Sequence, residues 1–369
     1  MPEHFDIAIC GAGPAGVAAA LAAVRLGLKT ALIERAHFPR HKVCGDCLNP
    51  AVWPVLRSLG VASVIDRLPH AVIEKVRFRS SCGRELEIPI PPGIERAVTR
   101  ESFDQALLQE LTKIAPPGQL SLFSGHPVTA VQALRPGWSL STPGVTLTAT
   151  TLIAADGRNS STCRVLGLVL QSKHDRVAIQ THAPLADGQR GAVSLEILPR
   201  GYIGIAPVDD LRMNLCLVSD KAGLSATRAA AEERFGLDAG QAWHSIAPLQ
   251  RADLPPAPAE GVFLAGDAAR VVEPFTGEGI YYALRSGQLA ATAAFGCVRG
   301  DAMAARSYQA SHRRLYHRRL WINQLSRLAV THRFIGDATL ALARHFPAVL
   351  RVLTTKVLTS HGSAEPARE

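Results

Sequence analysis

Long hydrophobic runs are missing from this sequence. No segment approaches the ~18 uninterrupted apolar residues that a membrane-spanning helix needs. The first six residues, MPEHFD, carry neither a basic region nor a cleavable apolar run. These absences argue against a membrane span and a secretory signal, so we expect a cytoplasmic protein.

Cysteine is sparse as well. The seven cysteines are odd in number and scattered along the chain, a pattern that does not fit a disulfide framework. We therefore expect free thiols. No Ser/His/Asp set and no pair of carboxylates stands out as a catalytic candidate. What is present is apolar: 47% of the 369 residues are hydrophobic, enough to bury a substantial core.

Positive charge is concentrated near the end of the chain. From residue 300 onward there are eleven Lys and Arg against four acids, out of a net charge of +9 for the whole chain. Basic pairs at helical spacing in residues 311–321 predict one broad cationic helix face. A solvated helix is the simplest interpretation, and peripheral contact with an anionic membrane or an acidic partner is the alternative. No recognised motif accompanies the charge, so nucleic acid is not an expected partner.

The clearest local signal is the turn Gly11-Ala12-Gly13-Pro14-Ala15-Gly16. A short apolar segment precedes it, and an Ala-rich helix and a second apolar segment follow, which together predict a βαβ unit. Gly11 permits the tight turn, Gly13 lets the backbone approach a pyrophosphate, and Gly16 allows close helix–strand packing. Glu34 ends the second strand, where a carboxylate accepts hydrogen bonds from a ribose. The unit predicts a bound dinucleotide, and taken alone it fits NAD as well as FAD.

The next loop is open to three interpretations. His37, His41, Cys44 and Cys47 form an H-x3-H-x2-C-x2-C pattern, which contains four possible zinc ligands. Structural zinc sites usually draw their ligand pairs from separated segments, so we expect no metal. A redox pair of Cys44 and Cys47 is a second interpretation, although no thioredoxin-like helix start accompanies it.

The third interpretation rests on resemblance. The loop contains Glu34-Arg35, Phe38-Pro39-Arg40, Lys42 and Cys44-Gly45-Asp46, and it is followed by R-x-x-F-D at 100–104, D-G-x-x-S at 156–160 and a G-D-A-A…P-x-T-G-E-G-I segment at 266–280. This series resembles the geranylgeranyl reductase branch of the flavoprotein oxidoreductases with the para-hydroxybenzoate hydroxylase fold. The sequence departs from the family at Cys163, where many members have arginine, and at Arg270.

The resemblance implies an FAD-dependent oxidoreductase with noncovalent FAD. The cofactor-binding candidates it implies are Gly11, Gly13, Ala15, Gly16, Glu34, Arg35, Arg40, Lys42, Cys44, Gly45, Arg100, Asp156, Gly157, Gly266, Asp267, Pro274, Gly277, Glu278, Gly279 and Ile280. It also implies an α/β fold. A Rossmann-type FAD-binding domain with a parallel sheet (1–70, 96–168 and 251–298) is interleaved with a mostly antiparallel substrate domain (71–95 and 169–250). Basic helices follow at 299–369.

The substrate region departs from the archaeal-type prenyl reductases, which resemble it over a P-x-x-Y-x-W-x-F-P motif. Here Pro199, Tyr202 and Pro207 match, but Gly204 and Ala206 replace the two large aromatic residues. Each aromatic ring would bury about 150–250 Å², so we expect a wider pocket.

The widened pocket favours, by a narrow margin, hydroxylation of a bulky aromatic or hydrophobic substrate, free or carried on a protein, with O₂ and NAD(P)H or another electron donor. Reduction of C=C bonds in an isoprenoid or lipid substrate is the alternative, and a non-catalytic flavin-binding protein is a third possibility. Cys44 and Tyr202 are the catalytic candidates, and a core position in a strand is an equally good interpretation of Tyr202. The sequence contains no second G-x-G-x-x-G unit, so a nicotinamide donor would lack its own Rossmann domain.

Overall fold

A computed structural model describes residues 2–91, 95–172, 176–238, 240–272 and 277–317. These residues form eight α-helices and seventeen β-strands. The helices are α1 (Pro14–Arg25), α2 (Val52–Ser58), α3 (Ala62–Asp66), α4 (Arg100–Ile114), α5 (Ser161–Val165), α6 (Leu224–Phe235), α7 (Gly279–Val298) and α8 (Ala304–His317). The strands are β1 (Glu3–Cys10), β2 (Thr30–Glu34), β3 (Cys47–Leu48), β4 (Ala71–Ile73), β5 (Lys75–Arg79), β6 (Glu85–Pro89), β7 (Glu95–Ala97), β8 (Leu120–Ser124), β9 (Ala130–Ala133), β10 (Trp138–Thr142), β11 (Val145–Ala154), β12 (Arg176–Pro184), β13 (Ala192–Leu198), β14 (Gly201–Pro207), β15 (Arg212–Asp220), β16 (His244–Ile246) and β17 (Val262–Leu264).

The first sheet is the expected Rossmann-type sheet. Its order is β8-β2-β1-β11-β10-β9, with β17 beside β11. The pairs among β8, β2, β1, β11 and β17 are parallel, whereas β9, β10 and β11 pair antiparallel. Strand β1 is buried on both faces, with Ile7 and Ile9 in one core cluster and Phe5 and Ala8 in the other. The near-continuous apolar run predicted such a strand.

Two glycines allow helices to pack closely at this sheet. A Cβ added to Gly16 of α1 would lie 1.7 Å from the Gly11 carbonyl oxygen, and one added to Gly287 of α7 would lie 2.0 Å from the carbonyl oxygen of Ala15. Both distances are far below any van der Waals contact, so only glycine fits at either position. The turn between β1 and α1 is therefore held between its own strand and α7.

The second sheet is mostly antiparallel, with the order β16-β12-β15-β14-β13-β5-β6. Only the pairing of β13 with β5 is parallel among its described strands. A third, small sheet has the order β3-β7-β4. The mixed α/β architecture with parallel and antiparallel sheets and C-terminal helices confirms the predicted fold class.

The segment 71–95 is divided between two sheets. Its alternating pattern over 72–79 predicts one continuous strand, but the chain leaves the small sheet at Ile73 and enters the second sheet at Lys75. Glu74 lies at the crossing, where its N–H donates to Gly191 and its carbonyl accepts from Ile90. A strand's period of two continues across such a step, so the alternation alone does not reveal it. The domain boundaries stay predictions.

Helix α8 packs with Tyr308, His312 and Tyr316 buried. The Tyr316 ring stacks on Tyr282 of α7 with centroids 4.6 Å apart, and the Tyr308 hydroxyl donates to the Leu264 carbonyl at 2.6 Å. The remaining basic region, 318–369, lies outside the described residues. None of the described helices combines the length and apolarity that crossing a membrane requires.

Candidate functional site

A central cavity of about 340 Å³ opens where the carboxyl ends of β1, β2 and β11 meet the second sheet. Ligands of open α/β sheets bind at this end of the strands. Most of the predicted cofactor-binding residues line it. They are Gly11, Gly13, Ala15, Glu34, Arg35, Arg40, Lys42, Cys44, Gly45, Arg100, Asp156, Gly157, Asp267, Gly277, Gly279 and Ile280.

The end of the cavity at β1 and β2 has the geometry of a dinucleotide site. Gly11 has φ +103°, and a Cβ there would lie 2.6 Å from the Ala155 carbonyl oxygen. The Glu34 carboxylate is fixed by two backbone N–H groups, from Ala12 at 2.8 Å and Ala36 at 3.0 Å. An anchored carboxylate at the end of the second strand fits a ribose.

Several glycines leave room for a large planar ligand. A Cβ added to Gly45, Gly277 or Gly279 would meet no described atom within 4 Å, and one added to Gly13 would meet only the flexible Arg40 guanidinium at 3.4 Å. These backbones therefore face open space in the cavity. Exposed N–H groups at the start of α7 suit the electron-rich edge of a bound ring system.

Positively charged side chains line the cavity wall between the dinucleotide end, at β1 and β2, and the open glycine backbones at the start of α7. Arg100 makes a two-point contact with the buried Asp104 carboxylate at 2.9 and 2.8 Å, and Arg40 lies 3.3 Å from the same carboxylate. Burial lowers the pKa of Lys42 to about 8, and the Arg100 guanidinium adds to the shift. Since a nearby anion would favour the charged ammonium, this wall suits a diphosphate.

The Asp156 carboxylate organises the opposite wall. It accepts from the hydroxyls of Ser160 at 2.5 Å and Ser161 at 3.1 Å, and from the N–H and hydroxyl of Thr162, both at 2.9 Å. These bonds build the turn into α5, so Asp156 both lines the cavity and supports its backbone. The next side chain, Arg158, also lines the cavity and donates to Asp267 at 3.2 and 3.3 Å. Sequence analysis missed Arg158 because it occupies a variable position of the D-G-x-x-S motif.

The Cys44–Asp46 turn is locked to the second sheet. The Cys44 N–H donates to Gln180 Oε1 at 3.0 Å, and its carbonyl accepts from Asn214 Nδ2 at 2.7 Å. The fully buried Asp46 carboxylate contacts Gln180 Nε2 at 3.3 Å and His182 Nε2 at 2.8 Å. It also accepts from the Arg100 N–H at 3.0 Å. We call this arrangement the Asp46 latch, and it leaves Gly45 open to the cavity.

The second sheet supplies an apolar wall. Ala178, Cys216, Val218, Ile246 and Leu249 all line the cavity. The thiols on this side are neutral at ordinary pH because burial raises the pKa of Cys44 above its usual value and that of Cys216 to about 12. Cys47, a second residue that sequence analysis did not assign to the cofactor site, also lines the cavity.

Four predicted site residues lie outside this lining. Tyr202 shares the sheet face of its partner Val218 but is 3% exposed and packs within the apolar cluster of Ala178, Val218 and Leu249. Gly16 and Gly266 are packing positions. Glu278 is buried and precedes the first residue of α7. A fifth prediction, Pro274, falls outside the described residues.

The compact zinc pattern is not assembled. His37 lies against Gly125, whereas His41 stacks on His244 with ring centroids 4.4 Å apart. Among the described residues, no group of three or more His, Cys, Asp or Glu is placed to hold a metal. All seven cysteines are free.

Comparison with known proteins agrees with this geometry. A family model described as FAD dependent oxidoreductase matches residues 6–133. Menaquinone reductase from Mycolicibacterium smegmatis is 31% identical over 321 residues, which cover 79% of this chain and 76% of the relative. Geranylgeranyl diphosphate reductase from Rhodobacter capsulatus is 30% identical over 319 residues, covering 79% and 75%.

Solved structures share the fold at lower identity. A geranylgeranyl bacteriochlorophyll reductase-like protein from Thermoplasma acidophilum superposes with a TM-score of 0.78 at 22% identity, covering 98% of this chain and 94% of that chain. PqsL from Pseudomonas aeruginosa, in complex with 2-aminobenzoylacetate, gives a TM-score of 0.75 at 18% identity and covers 90% and 98%.

The glycine turn, the anchored Glu34 and the electropositive wall thus fit the cofactor that the relatives' family uses. The chain belongs to the FAD-dependent oxidoreductases of the para-hydroxybenzoate hydroxylase fold, in the geranylgeranyl reductase-like branch, and FAD is its cofactor.

Proposed function

We propose that this FAD-dependent oxidoreductase reduces C=C double bonds of an isoprenoid-bearing substrate. The relatives that support this are named for menaquinone and for geranylgeranyl diphosphate, two molecules that share an isoprenoid chain. The observation that carries the proposal is the apolar wall of the second sheet, which brings the neutral Cys216 thiol and no described charged side chain to the cavity. Placing double-bond reduction ahead of hydroxylation reverses the narrow preference for hydroxylation that the sequence analysis gives.

Different cavity residues bind different parts of FAD in this proposal. In our proposal Glu34 accepts from the adenosine ribose, while the turn at Gly11 and Gly13 faces the diphosphate. Lys42 and Arg40 would neutralise the diphosphate charge, and the backbone N–H groups at Gly279 would hold the flavin ring edge. When bound there, reduced FAD would supply the hydride for the substrate. The protein contributes position, electrostatics and exclusion of water.

Saturating a double bond requires a proton in addition to the hydride. The thiols of Cys44 and Cys47 line the cavity, and burial raises the pKa of both, so each holds its proton at neutral pH. We assign them as the proton-holding groups of the site. Tyr202 serves in this proposal as a packing residue of the apolar wall rather than as a donor.

Hydroxylation is the second candidate, because the wall carries the small residues Gly204 and Ala206 in place of two large aromatic side chains. They pair with Cys216 and Asn214 on the cavity-facing side of the sheet, so small residues stand where large aromatic rings would narrow the space. A bulky ring would fit more readily there than beside two aromatic side chains. The electron donor in either case is NAD(P)H or another reductant.

The test offers geranylgeranyl diphosphate to the chemically reduced holoenzyme with and without O₂, and products are weighed by mass spectrometry. Our proposal predicts a gain of two hydrogens without O₂. A product that gains one oxygen, and only in the presence of O₂, would support hydroxylation instead. A matched Gly13→Val variant, which narrows the diphosphate site, should lose both FAD and turnover.

A further inference from the structure

Glu95 is a buried carboxyl group with no assigned role. It begins strand β7, is 8% exposed and lies in an apolar setting. In the small sheet, Ile73 of β4 pairs with Glu95. Cys47 of β3 and Ala71 of β4 both pair with Ala97, one on each side of β7. Side chains two residues apart share a face of a strand, so Glu95 lies on the face of Ala97. That face belongs to an apolar cluster between the small sheet and the second sheet.

The carboxyl group lacks the partners that a buried charge requires. Its Oε2 has no hydrogen-bond partner among the described residues, and none of the ion pairs found in this part of the chain includes it. Burial alone raises the pKa of Glu95 to about 7. A substantial fraction of the group therefore carries a proton at neutral pH, as is typical of catalytic carboxylic acids.

Cys47 connects this carboxyl group to the cavity. It sits diagonally across β3 and β7 from Glu95, a separation that long side chains span. The thiol packs against the apolar cluster on one side and lines the cavity on the other. Burial and then the Glu95 carboxylate raise the pKa of Cys47 well above its usual value, so the two groups interact electrostatically.

We propose that Glu95 reprotonates Cys47 after the Cys47 thiol has given the substrate the proton that completes saturation of the double bond. The inference rests on the proposed reductase function. One new C–H bond takes the hydride that the oxidoreductase activity supplies. The other takes the Cys47 S–H proton while the C=C π bond breaks, and the thiolate then accepts the Glu95 proton. Solvent reprotonates the carboxylate, so charge and atoms balance over the cycle.

Few other titratable groups act on this pair. Within the described structure, Cys44 and Asp46 influence the thiol electrostatically. Strand β4 presents Ala71 and Ile73, and the second sheet presents apolar side chains such as Val76. The surroundings therefore offer Glu95 no competing charge, and its titration governs the supply of protons.

The experiment compares wild type with Glu95→Gln, Glu95→Asp and the control Glu85→Gln, an exposed carboxylate on β6. Each holoenzyme is supplied with excess dithionite and geranylgeranyl diphosphate without O₂, and saturated product is measured over many turnovers per bound FAD. We expect Glu95→Gln to slow repeated turnover about 10²-fold or more and to flatten the pH profile, because Cys47 must regain its proton after each cycle. The wild-type rate should fall above pH about 7. Glu95→Asp should recover part of the rate, and Glu85→Gln should match wild type.

A second readout does not depend on turnover. Infrared difference spectra of the oxidised holoenzyme across pH should show a protonated carboxyl band that titrates near 7 and is absent from Glu95→Gln. If wild type saturates the substrate double bond but Glu95→Gln does so at the same rate, or if that band is absent, the role of Glu95 is overturned while the proposed reductase function stands. No saturation by wild type would overturn the proposed function, and this inference with it.

Discussion

Replacing Asp46 with glycine tests how strongly the Asp46 latch holds the cofactor loop. Asp46 has φ +57°, a conformation that costs an ordinary L-residue roughly 1–2 kcal/mol and glycine almost nothing. On backbone conformation alone, Asp46→Gly should therefore stabilise the protein. The same change removes the contacts of the carboxylate with Gln180, His182 and the Arg100 N–H.

The stability lost with these three hydrogen bonds should exceed the stability gained by relieving the backbone strain at position 46. Each hydrogen bond to an ionised acceptor contributes about 1.5 kcal/mol at the low end, so the three together contribute about 4–5 kcal/mol. Subtracting about 1 kcal/mol for the relaxed φ leaves a net loss of about 3–4 kcal/mol. Asp46→Asn tolerates the same φ and keeps one acceptor oxygen, so its loss should be smaller.

Urea unfolding of the FAD-bound proteins measures these differences, and flavin fluorescence measures FAD affinity. The matched control is Asp210→Gly, whose carboxylate is 83% exposed and should change stability by less than about 0.5 kcal/mol. Equal stability of Asp46→Gly and wild type would show that the latch is not what holds the Cys44–Asp46 turn.

Three further predictions address separate parts of the chain. Glu34→Gln should weaken FAD binding about tenfold, as measured by flavin fluorescence, because an amide is a poorer acceptor for ribose hydroxyls; unchanged affinity would exclude the ribose role. Gly204→Trp should fold, since an added Cβ would have Leu195 Cδ2 as its nearest neighbour, at 3.7 Å. The variant should raise KM for menaquinone more than KM for geranylgeranyl diphosphate. Equal changes in the two KM values would show that this wall does not discriminate between substrates by their width. Burial lowers the pKa of His312 to about 4, so the unfolded chain binds the proton first and stability should fall as pH drops from about 6.5 towards 4. Unfolding at several pH values, with His312→Phe as the non-titrating control, checks this, and parallel curves would refute it.

The sequence predicts the first sheet well because its signals are local. The glycine turn, the apolar strand before it and Glu34 all lie within one βαβ unit, so their spacing specifies their arrangement. The cavity lining at Asp156, Asp267 and Gly277 followed from motifs that each end a strand or begin a helix. These residues meet because parallel strands end at one edge of the sheet.

Contacts between distant segments could not be predicted in this way. Asp46 contacts His182 across 136 positions, and no local pattern in either segment indicates the other. The division of 71–95 between two sheets is hidden for the same reason. Tyr202 matched a motif, yet its side chain is buried in the apolar cluster beside Val218 and does not line the cavity. Glu95 gave no sequence signal, since its burial depends on how two sheets meet.

The most direct test of the reductase account is anaerobic turnover in D₂O. Dithionite-reduced holoenzyme is mixed with geranylgeranyl diphosphate, and the product is examined by mass spectrometry and NMR. The account predicts a saturated product that gains two deuterium atoms, one at each carbon of the former double bond, because the hydrogen that reduced flavin transfers also exchanges with D₂O. An unchanged substrate without O₂, together with an oxygenated product in air, would contradict it.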